Sequence, residues 1–173
     1  MITDTKIEVL ISEADIREKV SQCGKRISEK YDGKPLLLIG MLKGSFIFLA
    51  DLSRAITIPA RIEFIKTSSY RSGKIRGELE INIDESINFS DYNVVIVEDI
   101  VDTGHTLAAV TKLIAKKSPR SLYVIALVNK PSGREIEYTP DECLFEVGDE
   151  FVVGYGLDMD EFGRNLPFIG AVR

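Results

Sequence analysis

Tryptophan is absent from this chain of 173 residues, histidine occurs once, and cysteine occurs twice. The two cysteines, Cys23 and Cys143, lie far apart and do not form the close spacing of a metal-binding motif. We therefore expect both thiols to be reduced and structural. This cysteine usage is typical of an intracellular protein.

Long apolar runs and an excess of basic residues are missing as well. No run has the length needed to span a bilayer, and the first residues, MITDTKIEVL, lack the basic-then-apolar pattern of a signal peptide. The formal net charge of −5 argues against general nucleic-acid binding, which needs a basic surface. Because 45% of the residues are apolar, the chain can bury a core. We expect one soluble, cytoplasmic domain over residues 1–173.

Helix-like and strand-like segments alternate along the chain, without an internal repeat or linker. Ser12 can cap a first helix, whose apolar residues recur at helical spacing: Ile16, Val20, Cys23 and Ile27. Further helices are predicted at 45–56 and 104–117. Strands are predicted at 35–41, 61–67, 78–83, 93–99, 122–128, 144–147 and 151–153, with an edge strand ending the tail. The alternation predicts an α/β fold with a mostly parallel, twisted sheet flanked by helices.

Two segments allow more than one interpretation. The helix predicted at 45–56 is apolar nearly all round, so it is buried either in the core or against another subunit. The stretch SSYRSGKIRGELE, residues 68–80, is polar and rich in glycine and charge. It is either a mobile loop that serves the function or an ordinary surface loop.

Three acidic residues cluster in the stretch VVIVEDIVDTGHTL, residues 94–107. Glu98 and Asp99 follow a buried strand, and ligands of open α/β sheets bind beyond the carboxyl ends of strands. Neighbouring carboxylates raise one another's pKa and need a compensating cation or hydrogen-bond donors. Their oxygen atoms suit Mg²⁺. A solvated strand end is the alternative interpretation.

The same stretch continues as Asp102-Thr103-Gly104-His105-Thr106 into the predicted helix. Small and hydroxyl residues at a helix start leave backbone N–H groups free, and these groups with the helix dipole favour a phosphate. The segment therefore predicts a phosphorylated, metal-bound substrate. Neither GxxxxGK[ST] nor GxGxxG occurs after a strand, which argues against ATPase and dinucleotide-binding functions.

Residues 94–107 resemble the phosphoribosyl-pyrophosphate-binding motif of the type I phosphoribosyltransferases. The shared pattern is a hydrophobic strand, Glu-Asp, two residues, Asp-Thr-Gly, one residue and Thr. Within that family, the resemblance is to the hypoxanthine (-guanine) phosphoribosyltransferases, on segments in family order across about 34–173: 42–44, 68–70, 128–130 and 151–158. His105 is a departure, because some members carry lysine there.

The resemblance implies the type I phosphoribosyltransferase fold, with a small hood lobe built from the N- and C-terminal segments. It implies an Mg²⁺-dependent enzyme of purine salvage. The 5-phosphoribosyl group would pass from 5-phosphoribosyl 1-pyrophosphate to N9 of hypoxanthine or guanine, giving IMP or GMP and pyrophosphate. The partners would be these small molecules, with no nucleic acid or membrane, and the chain would form a homo-dimer or homo-tetramer.

The resemblance also implies roles for residues of the acidic stretch. Asp102 would be the general base, although a helix N-cap is its simpler role. Glu98 and Asp99 would face the ribose hydroxyls and Mg²⁺. The 5-phosphate would be bound by the loop residues Asp102, Thr103, Gly104, His105 and Thr106. For His105, a phosphate contact and an exposed position at the helix start remain equally open.

Residues outside that stretch receive the remaining roles in the resemblance. Pyrophosphate would contact Lys43, Gly44 and Arg164, with an unusual peptide bond between Leu42 and Lys43. The purine would contact Lys130, Phe151, Val152 and Asp158. Asp158 would also serve a second Mg²⁺. Ser69 and Tyr70 would begin a flexible loop that closes over the site.

Two rival functions stay open at this level. One is a ligand-sensing regulator on the same fold, although neither a basic surface nor a spare DNA-binding segment is present. The other is an enzyme of the same family acting on adenine, orotate or uracil, against which Lys130 and the Phe151-Val152 pair argue. The sequence does not rank hypoxanthine, guanine and xanthine.

Overall fold

A computed structural model of the chain describes residues 6–69 and 79–173. In this part of the chain, three α-helices and nine β-strands follow one another. The helices are α1 (Glu13–Lys30), α2 (Phe46–Ala55) and α3 (His105–Lys116). The strands are β1 (Ile7–Ile11), β2 (Leu36–Leu42), β3 (Ala60–Ser69), β4 (Leu79–Asn82), β5 (Asn93–Val101), β6 (Ser121–Asn129), β7 (Glu142–Glu146), β8 (Val152–Val153) and β9 (Ile169–Val172).

The main sheet has six strands in the order β4-β3-β2-β5-β6-β7. All neighbours pair in parallel except β3 and β4, which are antiparallel. The α/β class and the mostly parallel sheet are therefore confirmed. Every predicted helix and main-sheet strand is present, with ends within two residues of the prediction.

A second, antiparallel sheet joins the two ends of the described chain in the order β1-β9-β8. It forms the expected hood from N- and C-terminal segments. The expectation that the tail ends on an edge strand is wrong, because β9 lies between β1 and β8. The error arises from β1, which was not predicted as a strand and supplies the pairing partner on that side.

The helices cover both faces of the main sheet. Along β2, Leu36 and Leu38 point to the face packed by α1 and α2, whereas Leu37 and Ile39 point to the face packed by α3. Such two-sided burial explains why the central strands are continuous apolar runs. Ser12 caps α1 as predicted, with its Oγ accepting a hydrogen bond from the Asp15 N–H at 3.2 Å.

Both cysteines are free, as expected, and burial raises the pKa of the Cys23 thiol to about 12. Among the described helices, none combines the length and apolar character that crossing a bilayer requires.

Close packing joins α1 to α2 at one glycine. A Cβ placed on Gly24 would lie 2.5 Å from the Cβ of Ala55 and 2.7 Å from its carbonyl carbon. The nearby Ser28 hydroxyl donates to the Gly24 carbonyl at 2.8 Å and accepts from the Thr57 N–H at 3.0 Å. The helices are therefore in contact at backbone distance on the face that supports β2.

We expect Gly24→Ala to destabilise the protein. Alanine would gain about 1 kcal/mol of helix propensity. Overpacking should cost about 2 to 3 kcal/mol, the upper part of the usual range, because the contacts include backbone atoms of Ala55. The net free energy of unfolding should fall by about 1 to 2 kcal/mol in urea denaturation. Ser21→Ala, on the exposed side of the same helix, is the control and should leave it nearly unchanged. A Gly24→Ala protein as stable as wild type would contradict the close packing.

Candidate active site

A cavity of about 300 Å³ opens where β2 and β5 end, beside the start of α3. Its wall combines the acidic stretch with two regions that the family resemblance selected, the 42–44 loop and the segment with Asp158 and Arg164. The lining comprises Met41, Leu42, Lys43, Gly44, Thr67, Glu98, Asp99, Ile100, Val101, Asp102, Thr103, Gly104, Thr106, Leu107, Asp158 and Arg164. Most of the predicted site residues are therefore gathered around one space.

Glu98 and Asp99 stand side by side in this wall. They lie within β5 rather than after it, because Ile100 and Val101 still pair with β6. The Glu98 Oε1 accepts from the Asp99 N–H at 3.0 Å, and the Asp99 Oδ1 accepts from the Ile100 N–H at 2.9 Å. The Glu98 side chain belongs to a residue that is only 8% exposed. Burial first, and then the neighbouring Asp99 charge, raise the pKa of Glu98 well above its ordinary range.

This pair of carboxylates fits a hard divalent cation. Two adjacent carboxylates repel each other, and a bound cation relieves this repulsion. Carboxylate oxygens are also ligands that Mg²⁺ prefers. Over residues 6–69 and 79–173, no three His, Cys, Asp or Glu side chains converge closely enough to enclose a metal. A site of this kind suits Mg²⁺, which retains water and substrate oxygens among its ligands.

Two glycines allow close packing around Asp99: Gly44 lies against its carboxylate, and Gly156 lies against Gly44. A Cβ on Gly44 would lie 1.5 Å from the Asp99 Oδ2, so any other residue here would displace this carboxylate. Gly156, at φ +105°, approaches from the other side, and its Cβ would lie 2.0 Å from the Gly44 carbonyl oxygen. The peptide bond between Leu42 and Lys43 is cis, which matches the unusual peptide expected there. The 42–44 loop is thus held tightly between β5 and the hood.

The loop between β5 and α3 presents backbone groups to the cavity. Gly104, at φ +90°, is the N-cap of α3, and no side chain in the described chain caps this helix start. The alternative role of Asp102 as a helix N-cap is therefore not the one observed. Open N–H groups at a helix start form an anion site. His105 is not part of the cavity lining, and its Nε2 lies 3.0 Å from the Glu135 Oε2.

Gly133 and Arg134 hold Asp102, and sequence reasoning missed both. The Arg134 Nη1 donates to the Asp102 carbonyl at 2.7 Å, and its Nη2 donates to the Asn129 Oδ1 at 2.6 Å. A Cβ on Gly133 would lie 1.6 Å from the Asp102 Oδ1. The available signal was a Pro-Ser-Gly-Arg turn directly after Lys130, but its contact with Asp102 depends on the register of β5 and β6.

Three of the residues expected at the purine, Lys130, Phe151 and Val152, lie outside the cavity lining. The Lys130 N–H donates to the Val101 carbonyl at 3.0 Å, one residue before Asp102. Its Nζ donates to the Glu150 carbonyl at 3.0 Å, beside Phe151. Phe151 is 53% exposed, and Val152 is buried in β8. Lys130 thus connects the cavity lining at Val101 to the segment with Glu150 and Phe151.

An ion-pair network connects the cavity to the hood. The Arg164 Nη1 donates to the Gly156 carbonyl at 2.8 Å, and its Nη2 lies 2.8 Å from the Asp158 Oδ1. Glu161, which sequence reasoning did not select, accepts from Lys43 at 3.0 Å and from Arg164 at 3.1 Å. Hydrogen bonds from Lys43 and then Arg164 lower the pKa of the Glu161 carboxyl. The network therefore brings together Lys43, Asp158 and Arg164.

The expected flexible loop is only partly within the described residues. Ser69 is the last residue of β3, whose backbone pairs with β4 at Leu79. Tyr70 lies outside the described residues.

Comparison with known proteins gives consistent results along nearly the whole chain. A family model for the phosphoribosyl transferase domain matches residues 10–160. A hypoxanthine phosphoribosyltransferase from Salmonella typhimurium is 40% identical over 171 residues, covering 96% of this chain and 95% of that protein. A hypoxanthine-guanine phosphoribosyltransferase from Staphylococcus aureus is 39% identical over 167 residues, covering 96% of this chain and 93% of that protein.

A crystal structure of a hypoxanthine phosphoribosyltransferase from Staphylococcus aureus matches the fold closely. Its TM-score is 0.90 at 39% sequence identity, and the match covers 98% of this chain and 92% of that one. These similarities extend over the main sheet, the cavity and the hood. The resemblance first drawn from residues 94–107 is therefore confirmed, and this chain belongs to the phosphoribosyltransferase family.

Proposed function

We propose that this chain is a purine-salvage enzyme that transfers the 5-phosphoribosyl group from 5-phosphoribosyl 1-pyrophosphate to N9 of hypoxanthine, and of guanine, in an Mg²⁺-dependent reaction. The products are IMP or GMP and pyrophosphate. The observation that carries the proposal is one cavity that joins the Glu98-Asp99 carboxylates to the open helix start at Gly104. The names of the relatives from Salmonella typhimurium and Staphylococcus aureus support the choice of purine.

Asp102 is assigned as the general base. Its carboxylate takes the N7 proton of the purine as N9 attacks the anomeric carbon, and positioned proton transfer contributes about 10² to 10⁴ in rate. Arg134 fixes the Asp102 backbone, while Gly133 leaves room for the carboxylate. Asp102 therefore projects from an anchored turn at the cavity wall.

Glu98 and Asp99 are assigned to the ribose side. As the bond to pyrophosphate lengthens, positive charge develops on the sugar ring, and nearby carboxylates stabilise it, as in glycoside hydrolysis. With Asp158 they are the residues that would hold Mg²⁺, which neutralises the pyrophosphate and polarises its oxygens. Their own contribution is to hold two carboxyl groups in fixed positions beside the ribose hydroxyls.

The 5-phosphate is assigned to the backbone N–H groups of 103–106. This loop borders the cavity at the start of α3, where the helix dipole favours an anion. The Thr103 and Thr106 hydroxyls can add hydrogen bonds from the same loop. His105 contributes its backbone, since its ring faces Glu135.

Pyrophosphate is assigned to the wall formed by Lys43, Gly44 and Arg164. Arginine presents a rigid fork of donors suited to phosphate oxygens. The Arg164 Nε is buried and has no hydrogen-bond partner within the described residues, so the guanidinium retains an unused donor. The 42–44 loop supplies backbone groups beside Asp99.

The purine is assigned to Lys130, Phe151 and Val152, with Asp158 at its edge. The Lys130 ammonium, now donating to the Glu150 carbonyl, can also donate to the O6 of hypoxanthine or guanine. Adenine carries a 6-amino donor instead, which cannot accept from this ammonium and would place two donors against each other, so adenine is disfavoured. Exposed Phe151 offers a face on which the purine can stack. The loop beginning at Ser69 and Tyr70 would exclude water during transfer.

The test of this function is nucleotide formation from phosphoribosyl pyrophosphate, Mg²⁺ and each of hypoxanthine, guanine, xanthine and adenine. We expect IMP and GMP to form, adenine to be inert, and Asp102→Asn to lower kcat by about 10² to 10⁴. Phosphoribosyl pyrophosphate should still bind that variant.

Asp149→Asn, which changes an exposed carboxylate outside the cavity, is the control and should retain wild-type kcat. Bound phosphoribosyl pyrophosphate without nucleotide from any purine would instead favour a ligand sensor. If the Asp102→Asn variant were fully active, the assignment of Asp102 as the general base would be contradicted.

We expect Glu98→Gln to make the protein more stable while lowering its activity. Because the folded pKa of Glu98 is raised above the ordinary value of 4.5, the folded chain retains this proton where the unfolded chain has released it. Wild type should therefore lose stability relative to the variant as pH rises above 4.5. At pH 7 and without divalent cation, the variant should be more stable by about 1 to 3 kcal/mol.

Thermal and urea unfolding across pH 4 to 8 measure this difference, with Glu29→Gln on the exposed surface of α1 as the control. A variant that is less stable than wild type at pH 7 would show that Glu98 is compensated within the protein.

We further propose that the chain forms a homo-oligomer through the face shared by α2 and β3. Phe46 is 42% exposed, Ile62 42% and Phe64 46%, and exposed apolar patches mark interaction sites. Phe64 and Leu49 both approach Gly40, so the strand and helix side chains belong to one face.

Analytical ultracentrifugation should detect a dimer or tetramer for wild type and smaller species for Phe64→Lys. Val9→Lys, an equally exposed apolar position on β1, should retain the wild-type mass. Unchanged assembly of Phe64→Lys, or a monomeric wild type, would contradict this surface.

A further inference from the structure

Glu161 engages the two cations that border the cavity on its pyrophosphate side. One of its oxygens, Oε2, lies 3.0 Å from the Lys43 Nζ and 3.1 Å from the Arg164 Nη2. Its backbone N–H donates to the Asp158 Oδ2 at 2.8 Å, and its φ of +69° turns the chain toward these partners. One exposed carboxylate thus bridges the 42–44 loop and the hood.

The position of Glu161 differs from that of its partners. Lys43, Asp158 and Arg164 line the cavity, whereas Glu161 lies outside the lining and its side chain is 62% exposed. Arg164 is only 18% exposed and is also held by Asp158 and the Gly156 carbonyl. Lys43 is 60% exposed, and Glu161 is its partner in the described network. Glu161 therefore pairs with the Lys43 ammonium from outside the cavity lining, whereas Arg164 has further partners that hold it.

We propose that Glu161 competes with pyrophosphate for Lys43 and Arg164, and thereby weakens the binding of this product. The inference rests on the proposed function, which assigns those two cations to pyrophosphate. An exposed ion pair contributes little net free energy and exchanges readily. Pyrophosphate oxygens can therefore replace the Glu161 carboxylate, and the carboxylate can take the cations back when pyrophosphate leaves.

The sign of the effect distinguishes this role from a purely structural one. If Glu161 competes, removing its charge leaves Lys43 and Arg164 available and strengthens pyrophosphate binding. If Glu161 instead holds the arginine in position, the same change weakens binding. Glutamine suits the comparison because it keeps the length and shape of the side chain and the backbone hydrogen bond to Asp158.

Isothermal titration of wild type and Glu161→Gln with pyrophosphate and Mg²⁺, without purine, tests the proposal. We expect the variant to bind pyrophosphate about two- to five-fold more tightly, the size of an exposed ion-pair effect. Raising the salt concentration should narrow this difference, since screening weakens the competing pair. Glu161→Ala should change the affinity in the same direction.

Glu13→Gln is the matched control, because Glu13 is 56% exposed and pairs with Arg17 at 2.8 Å far along the chain from the site. Its pyrophosphate affinity should equal that of wild type. If Glu161→Gln bound pyrophosphate as tightly as wild type, or less tightly, the proposed competition would be contradicted. This holds even if wild type forms IMP. Absence of both pyrophosphate binding and nucleotide formation in wild type would overturn the proposed function itself.

Discussion

The candidate site depends on the pairing of β5 with β2 on one side and β6 on the other. The loops that leave the carboxyl ends of neighbouring parallel strands lie at the same edge of a sheet. The pairing of Val97 with Gly40 brings the 42–44 loop beside Glu98 and Asp99, and the pairing of Val101 with Asn129 brings Lys130 beside Asp102. A slip of one residue in either pairing would turn these side chains to the opposite face. One strand register therefore fixes the positions of Glu98, Asp99, Asp102 and Lys130 together.

That register holds the Glu98 and Asp99 carboxylates close together although their interaction is unfavourable. Two neighbouring carboxylates, one of them buried, repel each other, and Gly44 packs directly against the second. The strand that carries them is anchored by apolar residues of β5 that have no exposed surface, namely Val94, Val95, Ile96 and Val97. Burial on both faces of the sheet offsets the unfavourable electrostatics at its edge. The core and the site are thus linked energetically through a single strand.

Most of the fold could be predicted from the sequence, because buried strands and capped helices leave local patterns. The PLLLIGM run and Ser12 are examples, and both correspond to the observed elements. β1 left no such pattern, since Val9 and Leu10 are consecutive apolar residues that remain 53% and 37% exposed. Within the site, the acidic stretch was recognisable, but Arg134 and Glu161 were not. Their partners, Asn129 and Lys43, are defined by strand register and by the approach of the hood, which no short spacing in the sequence records.

The hood also determines the order in which the parts of the site can fold. β8, which carries Val152 beside Phe151, has two residues and pairs with β9, while β9 in turn pairs with β1. The segment with Phe151 and Val152 therefore cannot take its final position until residues 169–172 have been synthesised and paired with β1. The carboxylates of β5 and the helix start at Gly104 need only strands up to β6. During translation, the part of the site at Glu98, Asp99 and Gly104 can form before the part at Phe151 and Val152, which depends on β9.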